Sequence, residues 1–374
     1  MPSLVGSEMC IRDSSMEANI LKLDMLGHDD PTMIKMLEDL TGVNARAIPL
    51  DDPDTMSIFT SSKVLGFEND EILGPTGAVA IPEFNTRFTR GMLMDTMPQD
   101  FNTLVRLSGF SHGTDVWLGN ARDLIVGGTA SVLETVGCRD DIMLYLISMG
   151  LEPKMSFKIM EAVRKGKVKK KGFEDGWEEA MREHQVPDWY IGSLAKIGYL
   201  FPKAHAVAYV MMAFRIAWFK VHEPLAFYAT FFSIRAKAFD AEYCCAGMDA
   251  VKQKIREIEN NKDATDVEQN LLVTLEVCYE FYLRGFHFDT ISIYDSDATH
   301  FKITENGLLP PFVTVRGLGE TAALDTVEKR KGKTFISVEE FATTCNKLSK
   351  THIEQLKALG AFAGMADTSQ VTLF

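Results

Sequence analysis

The spacing of hydrophobic positions in this chain is helical over most of its length. From Pro53 to about Phe232, apolar residues recur at helical spacing in segments of roughly 10–18 residues, which Gly/Pro loops join. Helical periods return over Met248–Asn260 and Val267–Arg284, and a short strand-like stretch then reaches Pro310. The pattern therefore predicts a mainly α fold.

The most apolar helix is predicted to follow Pro202, whose ring sets the backbone of a first helical turn. From Ala206 to Phe219 the segment is apolar on all sides except at Arg215, which predicts burial in the core. Lys203 and His205 lie at its N-terminus, where free backbone N–H groups and the helix dipole favour an anion. We interpret them as a polyphosphate site. The alternative is a solvated lysine beside a histidine that is only a satisfied polar group.

A Gly-x-Gly turn introduces another helix near the C-terminus. Gly317 and Gly319 precede a helical segment that ends at Lys329 and Arg330, and a degenerate second copy covers residues 347–360. Glycines let backbone N–H groups approach a phosphate closely. The two copies together resemble a tandem helix-hairpin-helix over residues 312–362, which binds the DNA backbone without reading bases. A dinucleotide-binding loop does not fit, because no predicted strand precedes the glycines.

An alternating apolar and polar pattern over residues 20–26 predicts a short strand. Asp24 faces opposite to its apolar neighbours in that strand, and Gly27 ends it before a helix over Thr32–Leu40. A lone aspartate in a strand is usually an edge or turn residue. A carboxylate beside a glycine turn is also typical of the metal ligands in polymerase-type sites.

Two further polar segments could contact phosphate. Arg87 and Arg90 are spaced i,i+3, and hence lie on one helical face. Ser111 and His112 belong to a predicted loop, Ser108–Trp117, whose small polar groups could bind phosphate or cap a helix.

Composition and charge narrow the class of protein. A chain of 374 residues has room for two or three domains, and 46% hydrophobic with 24% charged residues is typical of a soluble globular protein. It lacks an uncharged apolar run of about 18 residues, so we expect no membrane association. The net charge is −13, yet Arg139 to Lys220 holds 14 Lys/Arg against 10 Asp/Glu. The densest part, Arg164–Lys171, precedes acidic residues, which leaves a solvated loop of mixed charge as the alternative to a binding segment.

Cysteine spacing and the two chain ends add three expectations. The six cysteines show no C-x-x-C pair, which predicts reduced thiols in a cytosolic protein and no zinc. Residues 1–14 resemble a translated sequencing adaptor, so we exclude them from the native fold and expect the natural protein to extend upstream. Gln370, Leu373 and Phe374 fit the Gln-x-x-Leu-Phe pattern of bacterial sliding-clamp ligands.

Four strings carry a family resemblance: Leu21–Thr32, Gly109–Asn120, Gly137–Asp141 and Tyr199–His205. From Ser15 to Phe374 the chain resembles the C-terminal part of PolC-type bacterial DNA polymerase III alpha subunits. DnaE-type alpha subunits share the Lys-x-Asp-x-Leu-Gly and Lys-x-His elements but lack the Ser-His-Gly-Thr-Asp-Val-Trp segment, and remain the alternative family. Residues 164–179 are longer and more basic than the family pattern.

The resemblance implies the chemistry of template-directed nucleotidyl transfer. Asp24 would be the third catalytic carboxylate, and would hold Mg²⁺ in a two-metal site whose other ligands lie upstream. Arg139, Lys203 and His205 would neutralise the triphosphate of a dNTP, and Tyr199 would contact its sugar or base. Arg87, Arg90, Ser111 and His112 are further candidates for that pocket. Gly317, Gly319, Lys329 and Arg330 would bind DNA.

The resemblance also implies a domain order. We expect the end of the palm, a small α/β remnant, at 15–34, helical fingers at 35–232, a duplex-binding domain at 233–364 and a clamp-binding tail at 365–374. The implied partners are primer–template DNA, dNTP, the sliding clamp and other replisome subunits in the cytoplasm. Because two catalytic carboxylates would be missing, we expect no primer extension by this chain alone. A non-catalytic module that binds DNA and docks on the clamp is the alternative function.

Overall fold

The computed structural model describes residues 28–368, and α-helices make up most of its regular structure. The mainly α fold class is thereby confirmed. In chain order the helices are α1 (Asp30–Thr41), α2 (Pro53–Ser57), α3 (Arg87–Thr96), α4 (Phe101–His112), α5 (Arg122–Val126), α6 (Arg139–Ser148), α7 (Pro153–Arg164), α8 (Lys167–Lys171), α9 (Trp177–Glu183), α10 (Asp188–Lys196), α11 (Lys203–His222), α12 (Pro224–Ile234), α13 (Ala241–Cys244), α14 (Met248–Asn260), α15 (Asp266–Leu283), α16 (Glu320–Lys329), α17 (Val338–Thr344) and α18 (Lys350–Ala358).

A small three-stranded sheet follows α15. Its strands are β1 (His287–Phe288), β2 (Lys302–Ile303) and β3 (Gly307–Leu309), and β3 lies between the other two, parallel to β1 and antiparallel to β2. A Cβ at Gly307 would lie 2.4 Å from the carbonyl oxygen of His287, so the pairing of β3 with β1 requires glycine there. The strand-like stretch predicted before Pro310 is thus confirmed.

Side-chain caps set where many helices begin. Asp100 accepts the N–H of Thr103 at the start of α4, and Thr265 forms a reciprocal capping box with Glu268 at the start of α15. These caps satisfy backbone donors that a helix leaves without intrahelical partners. The observed bounds of α14 and α15 differ from the predicted ones by at most one residue.

Helix α11 is the central element, and contacts α1, α2, α4, α6 and α12. Val210, Phe214 and Phe219 are fully buried on it, whereas Ala204 and Ala208 are exposed. Burial on all sides was therefore a wrong prediction for the first turns, because they border an open surface. Within residues 28–368, α11 has the length and hydropathy of a membrane span, but it packs as a core helix.

The C-terminal end of α11 carries a buried ion pair. Lys220 Nζ is fully buried and lies 2.7 Å from Glu280 Oε1 of α15. It also donates to the carbonyl oxygens of Gly77 and Val79, at 2.8 and 2.6 Å. Tyr228 of α12 donates to the same carboxylate at 2.7 Å. One buried cluster therefore joins α11, α12, α15 and the 77–79 loop.

Aromatic side chains pack continuously across the predicted boundary between residues 232 and 233. The Phe232 ring lies 5.3 Å from the rings of both Phe239 and Phe288, and 5.6 Å from that of Phe301, between centroids. These residues come from α12, the following turn and the sheet region. The two predicted domains therefore share one packed core here.

The basic segment is helical rather than a solvated loop. Residues 167–171 form α8, and α9 begins at Trp177. Val168 and Trp177 are buried, and each anchors its short helix to the protein. Of the six cysteines predicted to be reduced core residues, Cys138, Cys244, Cys278 and Cys345 are buried free thiols, Cys245 is a half-buried free thiol, and Cys10 lies outside the described residues.

We expect Lys220→Met to lower the free energy of unfolding by about 3–5 kcal/mol, because it leaves the carboxylate of Glu280 buried without its cation. Urea unfolding followed by circular dichroism measures the change. The double variant Lys220→Met/Glu280→Leu should recover part of the loss. Lys237→Met, at an exposed ion pair, is the control and should cost less than about 1 kcal/mol. A Lys220→Met protein as stable as the control would contradict this role.

Candidate functional site

The N-termini of α6 and α11 meet, although they are far apart in sequence. The N–H of Arg139, the first residue of α6, donates to the carbonyl oxygen of Phe201 at 3.0 Å. The N–H of Lys203, the first residue of α11, donates to Asp140 Oδ2 at 2.6 Å. These two bonds place Arg139 and Lys203, both predicted site residues, at one location.

Asp141 organises the cations around this junction. Its carboxylate accepts the N–H groups of Gly137 and Cys138, at 3.1 and 2.8 Å, which caps α6. It also lies 2.6 Å from Arg106 Nη1 and 3.4 Å from Lys203 Nζ. The lysine side chain keeps 36% of its surface exposed. Its ammonium is thus held in place at one point and open to solvent elsewhere.

The structure corrects most of the expectation of free N–H groups at the start of α11, because three of the first four are already hydrogen-bonded. Asp140 already caps the N–H of Lys203, and the N–H groups of His205 and Ala206 turn back to the carbonyl oxygen of Pro202. Pro202 itself occupies the cap position, one residue before the helix. An anion here would therefore be bound mainly by side chains.

Arg139 supplies the least committed cation at the junction. Its side chain is half-buried, and its guanidinium makes no hydrogen bond or ion pair with another residue of the 28–368 range. An arginine in that state offers several N–H donors in one plane, which suits phosphate oxygens.

Two glycines let α4 approach the start of α6. A Cβ at Gly109 would lie 2.5 Å from the carbonyl oxygen of Gly137 and 2.8 Å from Cys138 Sγ. A Cβ at Gly137 would lie 2.5 Å from Arg106 Cδ. Helix α4 and the residues before Arg139 are thus in direct backbone contact, which fixes the position of Arg139.

Aromatic and imidazole rings form one wall of the junction. The Phe201 ring stacks on His205 at 5.1 Å, and His112 lies 5.5 Å from both, between centroids. Tyr199 lies 5.1 Å from Phe201 and is 40% exposed. Two backbone bonds between Thr114 and Tyr199 hold this segment against the end of α4. The structure thereby brings His112, Tyr199 and His205 together.

Glu83 is a member of this site that the sequence did not reveal. Its Oε2 lies 2.5 Å from His112 Nε2 and accepts the Ser108 hydroxyl at 3.1 Å. Burial alone would raise the pKa of Glu83, but the hydrogen bonds from His112 and Ser108 lower it. The same bond raises the pKa of His112, whereas burial and the nearby His112 lower the pKa of His205. The pKa of His112 is therefore raised above the usual histidine value, and the pKa of His205 is lowered below it.

Three predicted phosphate contacts have other partners. Arg90 is only 8% exposed, and donates to the carbonyl oxygen of Leu73 and to Glu276. Arg87 pairs with Glu259 and Glu276. Both arginines thus lie on one helical face, as predicted, but that face meets carboxylates of α14 and α15. Ser111 lies inside α4 rather than in a loop, and its hydroxyl donates to a backbone carbonyl within α4.

The predicted hairpin turns lie side by side. Gly317 has φ +77°, in the left-handed region that favours glycine, and Gly319 precedes the first residue of α16. A Cβ at Gly317 would lie 3.8 Å from His352 Nε2 of α18, the helix of the second copy. Gly317 and Gly319 are exposed. The start of α16 and the start of α18 therefore face solvent close to each other.

The structure corrects the assignment of Arg330 as a DNA contact. Its guanidinium donates to the carbonyl oxygens of Ile293 and Ser296 and lies over the Phe312 ring, and the residue is 8% exposed. Lys329 contacts Asp325 and Asn346, at 3.0 and 2.6 Å. Both side chains therefore make intramolecular contacts at the end of α16 instead of pointing to solvent from the hairpin.

Several predicted residues lie outside residues 28–368: the proposed metal ligand Asp24, the tail residues Gln370, Leu373 and Phe374, and the leader 1–14. Within the described range, no group of three or more His, Cys, Asp or Glu side chains is arranged to hold a metal ion. The Mg²⁺ site therefore remains a prediction from the resemblance.

Comparisons with known protein families match two segments of the chain. Residues 30–185 match the family described as the bacterial DNA polymerase III alpha subunit finger domain. Residues 285–371 match the helix-hairpin-helix motif. The first match contains Arg139 and ends before Lys203, and the second contains both hairpin turns.

Three similar proteins are each named DNA polymerase III PolC-type. The one from Caldanaerobacter subterraneus subsp. tengcongensis is 53% identical over 361 residues. Those from Halalkalibacterium halodurans and Streptococcus mutans serotype c are 50% identical over 361 and 363 residues. Each alignment covers 96% of this chain and 25% of the relative. The chain thus spans about a quarter of the length of these relatives, and their names agree with the PolC-type resemblance.

We expect Glu83→Gln to return the pKa of His112 toward its ordinary 6.5. The wild-type pair stabilises the fold fully between pH 4.5 and 6.5, and it loses that contribution as pH rises through the raised pKa of His112. The lowered pKa of Glu83 sets the other limit, because the contribution is lost as pH falls below 4.5 and through that pKa. A histidine NMR titration measures the shift. Glu68→Gln, at an exposed pair, is the control, and an unmoved His112 would contradict the contact.

Proposed function

Because the chain is a homologue of PolC-type DNA polymerase III along 96% of its length, we propose that it forms the part of a DNA-directed DNA polymerase that binds the dNTP and the DNA. In this proposal the junction of α6 and α11 binds the incoming dNTP, and the hairpins bind the primer–template duplex. The observation that carries it is the meeting of those two helix N-termini, which gathers Arg139, Lys203, His205 and Tyr199.

The charges at the junction suit a triphosphate. The guanidinium of Arg139, which has no side-chain partner among residues 28–368, can form paired hydrogen bonds to phosphate oxygens, and Lys203 adds a point charge. His205, with its lowered pKa, is mostly neutral near pH 7 and serves as a hydrogen-bond donor rather than a cation. Such groups stabilise charge that develops on a transferring phosphoryl group.

Tyr199 and Phe201 give the site a second, apolar surface. The carbonyl oxygen of Phe201 accepts the N–H of Arg139, and the exposed ring of Tyr199, 5.1 Å from the Phe201 ring, can contact a sugar or base. We propose that phosphates bind at Arg139 and Lys203 while the nucleoside lies toward Tyr199. The His112 ring packs against His205 and is itself held by Glu83.

Catalysis in this proposal is completed by groups beyond the described residues. Asp24 is proposed as one of the carboxylates that hold Mg²⁺, the ion that would activate the primer hydroxyl and stabilise the leaving pyrophosphate. The described residues bind and orient the nucleotide. Gln370, Leu373 and Phe374 are proposed to dock on the sliding clamp, in a cytoplasmic replisome with further subunits.

Duplex binding is proposed for the exposed starts of α16 and α18. Backbone N–H groups there can donate to phosphates, and Gly319 adds no side chain to block their approach. Such contacts position a protein on the duplex without reading its sequence. That suits a polymerase, which copies any sequence.

We expect Arg139→Ala and Lys203→Ala each to weaken dNTP binding by about 10–100-fold, since a charge-assisted hydrogen bond is worth roughly 1.5–3 kcal/mol. Isothermal titration of the chain with dATP in Mg²⁺ buffer measures the affinity. The control is Lys63→Ala, an exposed lysine that pairs with Glu68. Equal affinities of all three variants would refute the site.

We expect Gly317→Val to weaken binding to a labelled DNA duplex by about 10-fold or more, because a branched side chain is strained at φ +77° and distorts the turn before α16. Fluorescence anisotropy over a range of salt concentrations measures it. Gly332→Val places the same strain at φ +67° beyond the end of α16 and should leave duplex affinity unchanged. Equal losses in both variants would refute a specific role for the hairpin turn.

A further inference from the structure

One face of α7 is exposed and carries a row of cations around a phenylalanine. Lys154, Phe157, Lys158 and Lys165 are exposed, and with half-buried Glu161 they follow one another at helical spacing. The opposite face is buried through Ile159, Met160 and Val163. We call the five residues 154, 157, 158, 161 and 165 the α7 stripe. It extends over about 16 Å of the helix axis and its C-cap.

The stripe lies in the most basic part of the chain. Between Pro153 and Gly172 there are eight Lys/Arg and one Asp/Glu, in a protein whose net charge is −13. Helix α8 packs on α7 and carries three more exposed lysines, Lys167, Lys170 and Lys171. A positive field this dense attracts polyanions.

Little of this charge is neutralised by the protein. The carboxylate of Glu161 is shared by Arg164 and Lys165, and its bond with Arg164 lowers its pKa to about 2. Lys169 pairs with Asp115 at 2.6 Å. The other five lysines make no ion pair with any residue between 28 and 368: Lys154, Lys158, Lys167, Lys170 and Lys171. The stripe therefore keeps cations available to a ligand.

Phe157 adds an exposed aromatic ring to this charged face. Half of its surface is exposed, and lysines stand beside it at positions i−3 and i+1. An exposed aromatic ring beside cations offers both contacts that single-strand binders use: bases stack on the ring, and phosphates contact the cations. Duplex DNA hides its base faces and would not use the ring.

We propose that the α7 stripe, together with the lysines of α8, binds single-stranded DNA, with a base stacked on Phe157 and the phosphates near Lys154, Lys158 and Lys165. The stripe shares no residue with the junction of α6 and α11 or with the hairpins. It is a separate nucleic-acid surface, and its existence does not depend on nucleotide binding at that junction. In the context of the proposed function, the bound strand is the unpaired template.

The test is fluorescence anisotropy of the whole chain with a labelled oligo-dT of about 12 nucleotides, a length within the usual range of single-strand sites. Phe157→Ala should weaken binding by about 5–100-fold, and Phe157→Tyr, which keeps the ring, should bind like wild type. Phe88→Ala removes another exposed phenylalanine, far along the sequence, and should bind like wild type. Equal affinities of Phe157→Ala and Phe88→Ala would overturn the proposal.

Salt dependence tests the cations separately. Lys154→Gln/Lys158→Gln should reduce the slope of log K against log salt by about 1.4, since each lost phosphate contact on a single strand removes about 0.7. Lys262→Gln, an exposed lysine outside the stripe, should leave the slope unchanged. Polyglutamate that displaces oligo-dT equally well from wild type and from Phe157→Ala would show a general polyanion surface and overturn the proposal.

Failure of this proposal is distinguishable from failure of the proposed function. If Gly317→Val lost oligo-dT binding while Phe157→Ala kept it, the hairpins would be the site that binds single-stranded DNA. That result would overturn the role of the stripe. The dNTP and duplex measurements would stand in that case. Conversely, oligo-dT binding that depends on Phe157 supports the stripe even where dATP does not bind.

Discussion

The buried ion pair between Lys220 and Glu280 is the constraint on which the geometry of the protein depends. It fixes the C-terminal end of α11, a rigid helix of 20 residues and about 30 Å. The N-terminal end of the same helix carries Lys203, so the anchor at one end determines where the other end points. Burial lowers the pKa of Lys220 to about 8 even though Glu280 raises it, and four polar contacts compensate for the desolvation.

The aromatic core around Phe232 extends this rigidity beyond α11. Phe232, Phe281 and Phe288 bring α12, α15 and the sheet into one packed cluster. Close-packed interiors transmit displacement rather than absorb it. The sheet region, which precedes the hairpins in the chain, is therefore held in a defined position relative to α12 and α15.

Local sequence patterns predicted the features that depend on neighbouring residues, namely helix bounds and tight turns. The bounds of α14 and α15 follow from periodicity and capping, and the turn at Gly317 follows from backbone freedom. The sequence pattern overestimated the burial of the first turns of α11, because hydrophobic spacing does not show whether another element packs against each side of a helix. The environments of Glu83 and Arg330 could not be read from the sequence, because their partners are distant along the chain and backbone carbonyls leave no trace in residue identity.

The carboxylates at the junction also bear on how an anion leaves it. Asp140 already caps α11, and Asp141 already contacts Lys203, so the resting site carries its own counter-ions. Under the proposed function, a phosphate bound at Lys203 would replace the contact with Asp141 instead of entering an uncompensated positive site. When the phosphate left, Asp141 would recover that contact and offset part of the loss. The built-in carboxylates would therefore favour exchange of the anion over its retention.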